Sequence, residues 1–260
     1  MLKYAYPALL PSSTKYLAAR QKKVDAEVGR EAQYVLANNL FKSKKTKAWE
    51  DVRQKLSAVA PGGDSCFYCE RDRYRDIEHI FPKRHYPERA FDWDNYIYAC
   101  TICNQDKKGD KFGSLAGQAL TRFDRSWPYN RALPIGMPAL INIRHENPLD
   151  FLRLDLTTGV FVETGDKQMQ LRASFTIDLF DLNSNELPRH RLLALGTYLD
   201  YLGRWLKAYD AGDVRKTRIF EAELVTLPHP TVLAEMRRQV NDYPEMLKFF
   251  SFLPPHIGAS

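Results

Sequence analysis

Apolar residues recur at helical spacing over much of this chain. Between residues 44 and 59, Trp49, Val52, Leu56 and Val59 fall on one stripe, which predicts an amphipathic helix that Pro61-Gly62-Gly63 then stops. Upstream, Ser12-Ser13-Thr14 can cap a helix running to about Asn38. The pattern changes near residues 151–156 and 160–163, two short runs split by Thr157-Thr158-Gly159, which predict a hairpin. Helical spacing returns from Leu171 in segments near 172–181, 187–209, 214–226 and 231–240. Asn183-Ser184-Asn185, Gly212-Asp213 and Pro228-His229-Pro230 punctuate these segments. The expected class is therefore α+β and predominantly helical, with no internal repeat.

At 260 residues and 44% hydrophobic, the chain can bury a full core. No run approaches the roughly 18 apolar residues needed to span a bilayer. The start, Met1-Leu2-Lys3-Tyr4-Ala5-Tyr6-Pro7, lacks the apolar core and cleavage site of a secretory signal, which points to the cytoplasm. Charge is uneven along the chain. Residues 1–60 carry 12 Lys+Arg against 5 Asp+Glu, residues 61–112 carry 9 against 10, and residues 113–260 carry 17 of each. An N-terminal basic excess suits a polyanion such as nucleic acid, since neutralising phosphates releases counterions; a solvated lysine-rich helix face would give the same count. Lys42, Lys44, Lys45 and Lys47 fall in the expected connection between the two helices.

All four cysteines lie in one window, as Cys66-Phe67-Tyr68-Cys69 and Cys100-Thr101-Ile102-Cys103. Two Cys-x-x-Cys pairs with no cysteine left over read as one tetrahedral zinc site, and in a reducing compartment thiolates rather than disulfides are expected. Four thiolates saturate the ion, so this zinc is architectural. A zinc knuckle that only binds a partner needs nothing but turns between its pairs. Here the interval holds Asp76-Ile77-Glu78-His79-Ile80-Phe81-Pro82-Lys83 and Asp92-Trp93-Asp94-Asn95, and Asn104 and Lys107 follow the last cysteine in a segment that is expected to be helical over residues 102–108.

In order and spacing, Cys66/Cys69, Glu78-His79 with Pro82, Asn95, Cys100/Cys103, Asn104 and Lys107 resemble the HNH endonucleases of the ββα-metal fold. Asn104 stands where the last letter of that motif is often His. The resemblance implies phosphodiester hydrolysis with His79 as general base, since a neutral imidazole near its own pKa can take the proton of the attacking water. It implies a second, divalent ion held by Glu78 and Asn104, whose hard oxygens favour Mg2+ or Mn2+. Asn95 would tie the loop down and orient His79. Lys107, one helical turn from Asn104, would contact a phosphate, as would Arg75, Lys83 and Arg84, with Arg71 and Arg73 as further candidates. Asp76, His85, Trp93 and Tyr96 are read as structural or solvated, as are His145, His190, His229 and His256.

The expected organisation is a basic helical region over 1–60, an HNH module over 61–115 and a mostly helical region with a short hairpin over 116–260. Looser matches at Glu146-Asn147-Pro148, Thr158-Gly159 and Leu182-Asn183 resemble the PtuB-like group of HNH nucleases from anti-phage Septu and retron operons. That likeness implies a DNA-cutting defence effector working with an ATPase partner. Two other readings stay open from the residues alone. One is a zinc-stabilised nucleic-acid or protein-binding module without activity, and the other is a nuclease that cuts RNA such as tRNA.

Overall fold

The computed structural model describes residues 1–258 except 44, 45, 72, 75 and 185. The expected roles of Lys44, Lys45 and Arg75 therefore lie outside the described residues. The N-terminal region is not one long helix followed by another. It forms α1 (Pro11–Asp25) and α2 (Arg30–Lys42), then α3 (Lys47–Ser57). Gly29 breaks the first pair at φ +89°, outside the helical region of backbone space. Pro11, rather than a serine cap, opens α1, where its missing N–H costs nothing. On α3 the expected stripe holds: Trp49, Val52 and Leu56 are fully buried.

The cysteine module contributes β1 (Asp76–His79) and β2 (Tyr96–Ala99), antiparallel, with Glu78 opposite Ile97 and His79 opposite Tyr96. Next comes Ile102–Lys108, expected to be helical and found to be a π-helix. Gly109 N donates to Asn104 O at 2.8 Å, closing a ring one residue wider than that of an α-helix.

Residues 112–138 hold a sheet that the hydrophobic pattern did not predict. It runs β4 (Ala119–Phe123), β3 (Phe112–Ala116), β5 (Met137–Pro138) in spatial order, all antiparallel. Gly117 at φ +60° and Gln118 form the two-residue turn between β3 and β4, where positive φ is needed. The expected hairpin is present as β6 (Leu152–Leu154) and β7 (Phe161–Glu163).

The C-terminal helices are α4 (Lys167–Phe180), α5 (Glu186–Asp210), α6 (Val214–Leu224), α7 (Pro230–Arg238) and α8 (Leu247–Phe250). Tyr198, Leu202 and Trp205 bury the inner face of α5 completely. No helix among the described residues is long and apolar enough to cross a membrane.

One continuous apolar core runs from Met1 to Ile257 and takes in the cysteine module. Tyr4 and Tyr6 pack against Phe67 of the first knuckle, with ring centres 5.6 and 5.8 Å away. From the other side, Tyr68 stacks on Phe180 of α4 at 3.8 Å. Glu70, directly after Cys69, is buried and accepts from Thr231 Oγ1 at 2.6 Å and Thr231 N at 3.2 Å at the start of α7. The Met1 ammonium also reaches it at 2.8 Å.

Candidate active site

The sulfur atoms of Cys66, Cys69, Cys100 and Cys103 lie within 4.8 Å of one another, and all four residues are buried. A tetrahedral zinc with Zn–S near 2.3 Å sets its sulfurs about 3.8 Å apart, so the cluster fits a structural zinc. Backbone N–H groups already aim at the sulfurs, with Tyr68 N donating to Cys66 Sγ and Cys103 N to Cys100 Sγ, each at 3.4 Å. Such bonds favour the thiolate form that a metal needs.

A zinc held by these cysteines would clip the two ends of a segment whose middle is β1 and the turn after it. His79 ends β1 and is buried, with Nε2 2.9 Å from Ala90 O. A carbonyl can only accept, so Nε2 carries the proton and Nδ1 is the basic nitrogen of the neutral ring. The Tyr96 hydroxyl donates to the same carbonyl at 2.6 Å and fixes that end of the turn. Phe41 of α2 packs on the imidazole at 4.5 Å, and Trp49 of α3 meets Phe41 edge-on at 5.1 Å. The N-terminal helices thus form the wall that holds the histidine ring in place.

Asn95 lies just before β2, in the turn that faces the residues after His79. It is fully buried; its Oδ1 accepts from Phe81 N at 2.7 Å and its Nδ2 donates to Phe81 O at 3.0 Å and Arg89 O at 2.9 Å. These bonds tie the residues after His79 to those before Ala90, so the carbonyl that sets the His79 tautomer is itself fixed.

Glu78 and His79 line one cleft of about 280 Å³ together with Pro82, Lys83, Asn104 and Lys108. The sequence brings Glu78, His79 and Asn104 together as expected. It does not bring Lys107 to them. Lys107 points the other way, to an exposed pair with Asp181 of the chain before α5 at 2.9 Å. The cause is the π-turn, whose extra residue per turn rotates Lys108 into the position an α-helix would give Lys107. Lys108 is 1% exposed, with Nζ 2.5 Å from Glu78 Oε1 and 2.7 Å from His79 O. Burial pushes the Glu78 carboxyl above its ordinary value, while the ammonium groups of Lys108 and Lys83 pull it back.

Lys83 lies at the cleft wall with its ammonium 4.4 Å over the Phe41 ring. Arg84 stacks on Tyr129 at 4.1 Å and donates to its hydroxyl. Neighbouring carbonyls of Pro128 and Tyr129 accept from Arg30 of α2 at 2.8 and 2.6 Å, which holds that loop beside the cleft. Tyr34 and Asn38 of α2, Gln105, Gly109, Asp110 and Arg125 complete the lining and were not foreseen. Arg125 is largely exposed, 3.8 Å from Asp110. No local pattern marks Tyr34, Asn38 or Arg125, because tertiary packing alone brings α2 and the loop after β4 to the cleft. Lys108 had a local signal, the Lys-Lys pair before Gly109, but helical spacing favoured the wrong member.

A hard divalent ion fits the cleft by donor chemistry. Glu78 supplies a buried carboxylate that already faces a positive charge, and Asn104 supplies an amide oxygen in the same cleft. Among the described residues, the four cysteines are the one group of three or more His, Cys, Asp or Glu side chains placed to hold a metal. An ion in the cleft would therefore complete its shell with water and substrate oxygens, as Mg2+ commonly does.

Residues 66–110 match the family model described as HNH endonuclease, and the matched span coincides with the clip, strand pair and π-turn described above. This segment is similar to HNH endonuclease domains. The Septu protein PtuB of Bacillus thuringiensis is a curated relative, 33% identical over 66 residues, or 24% of this chain and 25% of that protein. The match thus spans a quarter of the relative's length.

Proposed function

We propose that the protein is a metal-dependent DNA endonuclease, acting as the nuclease effector of a prokaryotic anti-phage defence system. The observation that carries this reading is His79, whose Nε2 is held on Ala90 O so that Nδ1 is its base, in the cleft that also holds Glu78 and Asn104. His79 takes the proton of the attacking water, Asn95 keeps the turn in register, and Glu78 and Asn104 hold Mg2+ or Mn2+. When bound, that ion supplies positive charge against the phosphorane and the leaving oxygen. Lys83 and Arg125 line the cleft, and Arg84, stacked on Tyr129, follows Lys83 in the chain; these cations suit phosphates on either side of the scissile bond.

The likeness to PtuB supports the defence setting. An ATPase partner would seat on the C-terminal helices, where Leu192, Leu193 and Leu199 of α5 are exposed and offer an apolar face.

The test is incubation of the purified protein with supercoiled plasmid and Mg2+ or Mn2+, alone and with the product of a neighbouring ATPase gene, alongside labelled RNA. Nicked or linear plasmid is expected. Cleavage of RNA only would replace the substrate, and no cleavage of either would leave a zinc-stabilised binding module.

A further inference from the structure

Lys108 is among the largest fully buried side chains of the molecule, and it ends in a charge. A buried lysine is costly unless its ammonium is matched, and here it is matched by two groups of the nuclease motif. One is the Glu78 carboxylate at 2.5 Å and the other the His79 carbonyl at 2.7 Å. The ammonium therefore sits on the carboxylate expected to hold the divalent ion. A local irregularity puts it there, since the i to i+5 bond from Gly109 N to Asn104 O is what turns Lys108 rather than Lys107 inward.

Building on the metal-dependent reading above, we infer that Lys108 is a resident cation of the cleft, a positioning residue that holds Glu78 in the metal-free protein and competes with the divalent ion for it. A divalent ion on the same carboxylate would meet the positive charge of the ammonium at close range, so loading is opposed until the ammonium moves away from Glu78. Asp110 lines the same cleft and is a second carboxylate for a displaced ammonium to meet. Lys108 thus keeps the Glu78 side chain in place while no metal is present, and sets a threshold concentration for loading. A merely structural lysine would make the opposite mark on metal affinity, because removing it would loosen the site.

Mn2+ binding to the full-length, zinc-loaded protein is measured by electron paramagnetic resonance for the wild type and for Lys108→Met, which keeps the side-chain length and removes the charge. The variant is expected to bind Mn2+ at least tenfold more tightly. Equal or weaker binding overturns the inference while leaving a metal-dependent nuclease standing, whereas Mn2+ binding to neither protein overturns both. The wild type gives a second reading that needs no variant. Acylation of Lys108 by an amine-reactive ester, followed by peptide mass spectrometry, is expected to be slow without metal and several-fold faster at saturating Mn2+. Unchanged protection of Lys108 under that condition overturns the inference.

Discussion

His79 and Asn95 divide one task between them. The imidazole supplies the base, and the amide fixes the carbonyl that decides which ring nitrogen is basic. His79→Ala is expected to lower plasmid cleavage by at least a hundredfold while zinc content stays at one per chain, read by metal analysis and gel assay on the same preparation. If the variant cuts at the wild-type rate, His79 is not the base. Asn95→Ala removes three hydrogen bonds in a buried site, so both stability and activity should drop. A loss of about 2 to 4 kcal/mol in denaturant unfolding is expected. Lys107→Ala should do neither, because its partner Asp181 is exposed and such pairs contribute about 0 to 1 kcal/mol.

Among the elements, strong periodicity was legible and compensated irregularity was not. The stripe of α3 and the turn residues around the β6–β7 hairpin announced themselves, because burial on one face leaves a repeating pattern in the sequence. The sheet of β3, β4 and β5 did not, since β4 exposes most of its residues and Gly113 stands where an apolar side chain would advertise a strand. Gly113 is required by packing: a Cβ there would sit 2.7 Å from the Phe175 ring of α4. The site was legible where chemistry sits on adjacent residues, as in Glu78-His79 and the cysteine pairs. It failed at the π-turn, where one extra residue moves the inward lysine by one position, and at α2, whose Phe41 and Tyr34 reach the site only through tertiary contact. The four-cysteine cluster, which fits a zinc, ties together a set of short elements that have little regular structure of their own. Cys69→Ser should abolish zinc binding and unfold the module, since ligation contributes on the order of 10 kcal/mol in small zinc domains. Loss of the β1–β2 amide protection in hydrogen exchange would report it, and retained protection would show that the surrounding core suffices.

At the scale of the whole molecule, the module is joined to the C-terminal helices through the residue that follows its first knuckle. Glu70 stands at φ +58° with its carboxylate on Thr231, while His229 N donates to Glu70 O at 3.4 Å and the imidazole is buried beside it. Burial lowers the His229 pKa from 6.5 to about 4, and the nearby Glu70 charge only partly offsets that. In the unfolded chain His229 titrates near 6.5, so between that pH and about 4 the unfolded state holds the extra proton. Stability is therefore full above pH 6.5 and falls as the pH drops through this window, by up to about 3 kcal/mol from this one group. Thiolates of the zinc cluster also protonate on acidification, so the contribution of His229 is read as a difference between two proteins. His229→Asn suits the purpose, because asparagine tolerates the φ of +55° found there and does not titrate. Urea unfolding of both proteins at pH 7.5, 6.0 and 5.0 should show the wild type losing more stability than the variant at each downward step. Parallel curves would mean that His229 gains a proton in the folded protein without cost. The joint between the zinc knuckle and α7 would then carry no acid sensitivity of its own.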